Sequence, residues 1–267
     1  PAIGSTNVRK TLPLIAFTSL TLACALPAWA QDDAAADEVA AEEAALEEEE
    51  SPHDFSATLT GVSDYVFRGI SQTQEDPAFQ ASVDYAHASG FYAGIWGSSV
   101  DFTAEDTLPE DEDGADVEID YYVGFASDIN DTFSYDVSGV YYTYPGANDG
   151  IDYDYPELIG KLTGWGWATF TLGYSWDTFN SGETSFYYNF GGEWGLPWEL
   201  TLDSSIGYYD LDSVFDESYV DWQVGLSRSF GFLDVGAHYY DTNSDGELIY
   251  GDLADSRFVL TLGFTID

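Results

Sequence analysis

The chain has 267 residues, enough for one large domain, and its 49 acidic residues against 6 Lys and Arg give a formal net charge of −43. Such a chain repels nucleic acid and attracts cations, which excludes nucleic-acid partners; a saline habitat is an equally good reason for the acidity. Aromatic residues make up 17% of the chain, and the single cysteine is Cys24. Residues after Cys24 can therefore form neither a disulfide nor a thiolate metal site.

The first 30 residues have the features of a secretory signal. A basic pair at 9–10 precedes an apolar run over 14–26, and Ala-Trp-Ala at 28–30 offers a small-x-small cleavage site. The run is short for a membrane-spanning helix. Lipid attachment at Cys24 is the alternative, but the preceding Thr-Leu-Ala is a poor lipobox. We predict a signal peptide over 1–30 and export of the rest.

An acidic segment follows, rich in Ala, Glu and Asp and without Lys or Arg over 31–53. Such a composition cannot form a packed core, so we predict a solvated periplasmic arm that is disordered or partly helical. The alternative is an arm that binds a basic partner or spaces the following domain from another layer.

From residue 54 onward, apolar and polar residues alternate. The last stretch, residues 257–266, has apolar Phe258, Leu260, Leu262 and Phe264 at every second position. Because side chains of a strand point alternately to opposite faces, this strand has one apolar face and one polar or small face. About 12 segments are strand-like, near 55–68, 78–87, 90–102, 116–126, 132–144, 152–163, 166–177, 184–194, 198–209, 218–229, 231–240 and 256–266.

The connections between these segments alternate in length. Short ones fall near residues 89, 130, 165, 196 and 231, and longer polar ones lie between them. This alternation is typical of an outer-membrane barrel with both termini in the periplasm. Sheets in lipid must close so that every backbone polar group is paired. We therefore predict an all-β fold: a single up-and-down antiparallel transmembrane β-barrel over 54–267, closed between first and last strands, with outer-membrane lipid around it.

The opening of this region resembles a known bacterial family. Residues 56–102 are similar to the start of the TorF family of porin-like outer-membrane barrels, notably over Ser63–Gly69 (SDYVFRG), Ser71-Gln72 and Trp96-Gly97-Ser98. The resemblance implies a pore in the outer membrane of a Gram-negative bacterium. The chain departs from the family at its end, where Thr-Ile-Asp follows Phe264 in place of a terminal aromatic residue.

Three charged residues are predicted to meet at the barrel seam. Arg68 is expected to end the first strand and Arg257 to begin the last, both facing the lumen with Asp64. The cluster can act as a basic spot in an acidic channel. The alternative is an ion-pair cluster that only stiffens the seam.

Carboxylates are predicted to dominate the rest of the lumen. Fixed negative charges favour cations, so we expect small solutes or cations to be the partners of the pore. A barrel of this size is narrow, and side chains can fill it partly or wholly. The expected lumen acids are Asp84, Glu118, Asp120, Glu157, Glu193, Glu199, Asp203, Asp221 and Asp234, against the bases Arg68, Arg257 and Lys161.

One loop matches a calcium-binding pattern. Residues 241–252 (DTNSDGELIYGD) place acidic or amide side chains at positions one, three, five and twelve and Gly at six, as in an EF-hand loop. We predict a plain solvated loop and no cofactor; the alternative is calcium bound at Asp241, Asn243, Asp245 and Asp252.

Two further functions stay open. A membrane phospholipase would need a nucleophile beside a base and an orienting group. His238 is expected in the lumen, but no serine motif accompanies it, so we predict that the protein is not an enzyme. A non-conducting barrel that serves as scaffold, receptor or adhesin is the main alternative to the pore.

Overall fold

Twelve long strands form one antiparallel sheet that closes into a barrel, in a computed structural model that describes residues 51–102, 114–147 and 152–266. Each strand pairs with its neighbours in sequence, and the first strand pairs with the last, with Ala57 opposite Ile266. The predicted up-and-down barrel, closed between first and last strands, is confirmed. The barrel strands are β1 His53–Val62, β4 Ala78–His87, β5 Phe91–Ser99, β6 Val117–Asp128, β7 Phe133–Thr143, β8 Tyr155–Gly164, β9 Ala168–Ser175, β10 Ser185–Leu196, β11 Leu200–Asp210, β12 Tyr219–Phe230, β13 Leu233–Thr242 and β14 Arg257–Ile266. The two remaining strands, β2 Val66–Phe67 and β3 Ile70–Ser71, form a separate hairpin.

The two ends of the barrel differ. Short turns join β4 to β5, β6 to β7, β8 to β9, β10 to β11 and β12 to β13 at what we call the turn end, where β1 begins and β14 ends. Longer connections lie at the opposite, loop end; two of them contain helices α1 Asp212–Phe215 and α2 Ser244–Tyr250. None of the helices in the described ranges is long and apolar enough to cross a membrane.

The two faces of the sheet have opposite character. Large apolar side chains on the outer face stand free, such as Phe79 at 62% exposure and Phe258 at 77%. On the inner face Thr60, Gln80 and Ser82 are buried. In a soluble sandwich the apolar faces would pack against each other. Here they point away from the interior, so the interior of the barrel is polar.

The connection between β1 and β4 folds into the barrel. We call residues 64–73 the inner hairpin: it contains β2 and β3, and Tyr65, Ile70 and Ser71 in it are almost fully buried. Tyrosines from the wall pack around it, and five of them are among the largest fully buried side chains: Tyr142, Tyr155, Tyr187, Tyr209 and Tyr219.

The predicted end of the first strand at residue 68 is wrong, because β1 ends at Val62. The side chain of Asp64 accepts hydrogen bonds from Ser71 and Thr73, which turns the chain back on itself. Arg68 and Gly69 then take positive φ angles of 50° and 83° at the hairpin tip. A Cβ on Gly69 would collide with Thr242 of the wall, so only glycine fits this close approach.

The lumen as candidate functional site

Asp64 and Arg257 meet at the seam between the first and last strands. Nη1 of Arg257 lies 2.9 Å from Oδ2 of Asp64, and both side chains are buried. Arg257 also lies 3.5 Å from Glu75 Oε1 and donates to the backbone oxygen of Leu253. The pair therefore ties the inner hairpin to β14 and to the connection that precedes it.

Arg68 does not join that pair. It reaches across the lumen to β8, where its Nη2 lies 2.6 Å and 2.8 Å from the two carboxylate oxygens of Glu157. The guanidinium also stacks over the rings of Tyr187 and Tyr209, 4.2 Å and 4.4 Å from their centroids. A Cβ on the neighbouring Gly173 would overlap the Glu157 carboxylate, so the glycine leaves room for the pair.

The charge of Arg68 is held in place by its surroundings. Burial lowers the pKa of its guanidinium, but the Glu157 carboxylate acts in the opposite direction and the net pKa is raised well above its usual range. The backbone oxygen of Arg68 accepts a hydrogen bond from the Tyr219 hydroxyl on β12. The inner hairpin is thus fixed to two distant parts of the wall.

Two predicted lumen acids, Glu118 and Asp120, lie together on the inner face of β6 and are fully enclosed. The Tyr144 hydroxyl donates to Oε1 of Glu118 at 2.9 Å. Among the described residues, no hydrogen-bond partner reaches Oε2 of Glu118 or either oxygen of Asp120. Burial, followed by the charges of Glu118 and Asp120, raises the pKa of the Tyr65 hydroxyl of the inner hairpin well above its usual range.

The acids nearer the turn end have polar neighbours. Asp203 accepts a hydrogen bond from Gln223 at 2.7 Å and lies 3.2 Å from His238. Asp84 accepts from the hydroxyls of Ser82 and Tyr122. Three further inward-facing acids belong to the predicted set: Asp221, Asp234 and the partly buried Glu193. Asp221 accepts a hydrogen bond from the Tyr187 hydroxyl, and Asp234 accepts one from the Ser229 hydroxyl.

Glu199 does not line the lumen. It lies in the one-turn helix Pro197–Glu199 that joins β10 to β11, and its side chain is 80% exposed. Its partner is Arg228, at 2.9 Å. The period-2 pattern was extended too far here, because the turn at Pro197 interrupts the strand before Leu200.

The sequence-based prediction missed one lumen acid, Asp136. Asp136 accepts a hydrogen bond from Tyr92 at 2.8 Å, and buried Lys161, which was expected in the lumen, sits directly opposite it on β8. Gln80 is fully buried, and neither its amide oxygen nor its nitrogen has a partner in the part of the chain that the structure describes. Alternation with Val137 could have placed Asp136 on the inner face.

The alternative calcium loop does not form. Residues 244–250 form helix α2 instead of an open loop. The side-chain oxygen of Asn243 accepts a hydrogen bond from the backbone N–H of Val220, and that of Asp241 accepts one from the backbone N–H of Thr242. In the described ranges no three His, Cys, Asp or Glu side chains gather as metal ligands. Calcium at Asp241, Asn243, Asp245 and Asp252 stays an alternative that this fold does not support.

His238 lies on the inner face of β13, as expected. Its Nε2 faces Asp203, and its ring lies close over the backbone of Gly225 on the adjacent strand. Its Nδ1 has no hydrogen-bond partner among the described residues, so no serine or threonine hydroxyl is paired with that nitrogen. The arrangement gives no nucleophile–base pair of the kind that a hydrolase needs.

A closed barrel with an apolar outer belt and a polar, acidic interior defines the class: an up-and-down β-barrel of the porin-like fold. A family model described as "Bacterial protein of unknown function (Gcw_chp)" matches residues 46–265, and the chain belongs to that family. No curated protein sequence matches the chain.

Solved structures with a similar fold include two of the KdgM porin. One is 8% identical with a TM-score of 0.50, and the other, in complex with disordered oligogalacturonate, is 9% identical with a TM-score of 0.51; each match covers 79% of this chain and 99% of the porin. Outer membrane phospholipase A from Escherichia coli is 14% identical over 79% of this chain and 92% of its own, with a TM-score of 0.45. These similarities describe the fold and transfer no activity.

Proposed function

We propose that the protein is an outer-membrane channel for small solutes that prefers cations, with both ends of the barrel sequence in the periplasm. The observation that carries the proposal is the division of the sheet into an apolar outer face and an inner face with carboxylates on most strands. The outer face suits hydrocarbon, and exposed Trp165, Trp194 and Trp198 near the turn end suit a membrane interface. The resemblance to the TorF family agrees with this function.

The preference for cations follows from the balance of charge in the lumen. Arg68 and Arg257 are each committed to a carboxylate partner. Toward the turn end Glu193, Asp203 and Asp234 lie on neighbouring parts of the inner face, and fixed negative charge there lowers the energy of a partly dehydrated cation. An acidic oligosaccharide, such as the oligogalacturonate in the KdgM complex, would be repelled by this wall.

The inner hairpin favours a second candidate function. It crosses the loop-end half of the lumen and is bonded to β8, β12 and β14. A barrel closed in this way can serve as a scaffold, receptor or adhesin without conducting. A conducting barrel requires that the hairpin leave a path beside it or move aside.

Single-channel recording of the refolded protein in a planar bilayer separates these functions. The channel predicts current steps whose reversal potential under a salt gradient shifts toward that of the cation. The double substitution Asp203→Asn with Glu193→Gln should reduce that shift, whereas Glu183→Gln, in an exposed loop outside the barrel, should leave it unchanged. Silence at every voltage would favour the scaffold, and an equal effect of both variants would contradict the assigned wall charges.

A further inference from the structure

A group of polar atoms without partners lies inside the loop-end half of the barrel. It comprises both oxygens of Asp120, Oε2 of Glu118, the Tyr65 hydroxyl and the side-chain amide of Gln80, and each of these residues is at most 3% exposed. Buried polar groups almost always find a hydrogen-bond partner, and an exception needs an explanation. Four such residues in one region indicate a shared partner.

The strand register brings these residues together. Gln80 on β4 is opposite Ser98 on β5, and Ser98 is opposite Glu118 on β6, so the three share one row of the inner face. Two strand spacings put the ends of this row about 10 Å apart. The small Ser98 leaves room between the two longer side chains. Asp120 is the next inward residue on β6, and Tyr65 of the inner hairpin lies beside Trp96 next to it.

A positively charged partner suits this group best, because Tyr65 offers one hydroxyl for four acceptor oxygens. Two carboxyl groups without a counter-ion are costly to bury, and the two arginines of this region already bind Glu157 and Asp64. A proton on Asp120 would neutralise one acid but would leave the Gln80 amide and most of the oxygens unsatisfied. A hard cation with bound water satisfies the carboxylates and the amide oxygen at once, and these oxygen types are the ligands that Ca²⁺ and Mg²⁺ take.

We propose that Asp120, Glu118 and Gln80 bind one divalent cation in the lumen beneath the inner hairpin. The site differs from the alternative calcium loop at 241–252, which lies in the connection before β14. The cation is a resident ion that completes the packing between β4, β6 and the inner hairpin. This binding does not depend on whether the barrel conducts.

Calcium titration of the refolded full chain tests the site. After treatment with a chelator, Ca²⁺ is titrated by calorimetry in detergent at high salt, which screens weak binding by surface acids. We expect one tight site per chain. Asp120→Asn should weaken it by about tenfold or more, the range for perturbed metal sites. Gln80→Leu, which changes no charge, should also weaken it because an oxygen ligand is lost.

Asp221→Asn is the matched control. Asp221 is another buried lumen acid, and its strand β12 lies on the opposite side of the barrel from β6. The Asp221→Asn substitution removes the same charge as Asp120→Asn and should leave the tight site intact. The absence of tight binding in the unmodified chain, or equal losses in Asp120→Asn and Asp221→Asn, would overturn the proposal. Unchanged binding in Gln80→Leu would remove Gln80 from the site.

Discussion

Arg68 is the residue on which the interior of the barrel depends most directly. Its side chain is 3% exposed and its partner Glu157 is 1% exposed. A buried ion pair need not stabilise a fold relative to apolar residues, but removal of one partner leaves an uncompensated charge. Oε2 of Glu157 also accepts a hydrogen bond from the Tyr142 hydroxyl. Loss of the ion pair would therefore disturb the tyrosine packing as well.

We predict that Glu157→Gln lowers the free energy of unfolding by about 3–5 kcal/mol, the usual cost of breaking a buried pair. The measurement is urea unfolding of the folded barrel in detergent, followed by tryptophan fluorescence. Glu199→Gln is the control, because it breaks the exposed pair with Arg228 and should cause no measurable change. Equal effects of the two substitutions would contradict a special role for the Arg68 pair.

At the scale of the element, each strand presents a face whose environment changes with depth. On β14 the outward residues run from Phe258 at the loop end through Leu262 at the middle to Ile266 at the turn end. If the barrel spans a membrane, the middle of this face meets hydrocarbon and its end meets the interface. A soluble barrel would place both positions in water.

This difference can be measured with two substitutions on one face of one strand. Leu262→Arg should destabilise the protein folded in lipid vesicles by about 2–4 kcal/mol, whereas Ile266→Arg should cost about 0–1 kcal/mol, because the penalty for a charge falls toward the interface. Leu262 is 46% exposed and Ile266 72%, so both side chains lie on the surface. Similar costs at the two positions would contradict the membrane-spanning assignment.

The sequence was sufficient for the elements because two-residue alternation is a local signal. It predicted the twelve barrel strands, the closure of β14 onto β1 and the two classes of connection. Two-residue alternation gives no information about where the chain leaves the sheet. It therefore extended the first strand to Arg68 and counted Glu199 as a lumen acid, although Pro197 starts a turn there.

Contacts between distant elements were beyond the reach of the sequence. The pairing of Arg257 with Asp64 was accessible because both residues border the seam. The pairing of Arg68 with Glu157 depends on a hairpin that crosses the lumen, and no local pattern encodes that path. The conformation of residues 241–252 was out of reach for a related reason, since packing of the connection against β12 and β13 favours helix α2 over an open loop.

At the scale of the whole molecule, the interior is divided into two halves. The loop-end half is packed by the inner hairpin and the wall tyrosines, and its two arginines are paired. The turn-end half contains partly exposed acids such as Glu193 and Asp203. In the proposed channel, the inner hairpin is thus the part of the chain that would limit passage, and the acids below it would govern which ions approach.

We predict that replacement of residues 66–71 by six alternating Gly and Ser residues increases the single-channel conductance of the barrel. The replacement removes Arg68 and the short strands β2 and β3, so the hairpin loses its attachments to β8 and β12 and the lumen widens at the loop end. The same replacement at residues 212–217, a mostly exposed segment of equal length at the same end, is the control and should leave the conductance unchanged. An unchanged current in the hairpin variant, with the barrel still folded, would mean that the hairpin does not obstruct the path.

Because the proposed cation site keeps Asp120, Glu118 and Gln80 in this variant but loses the hairpin above them, calcium titration of the same protein should show weaker binding alongside the larger current.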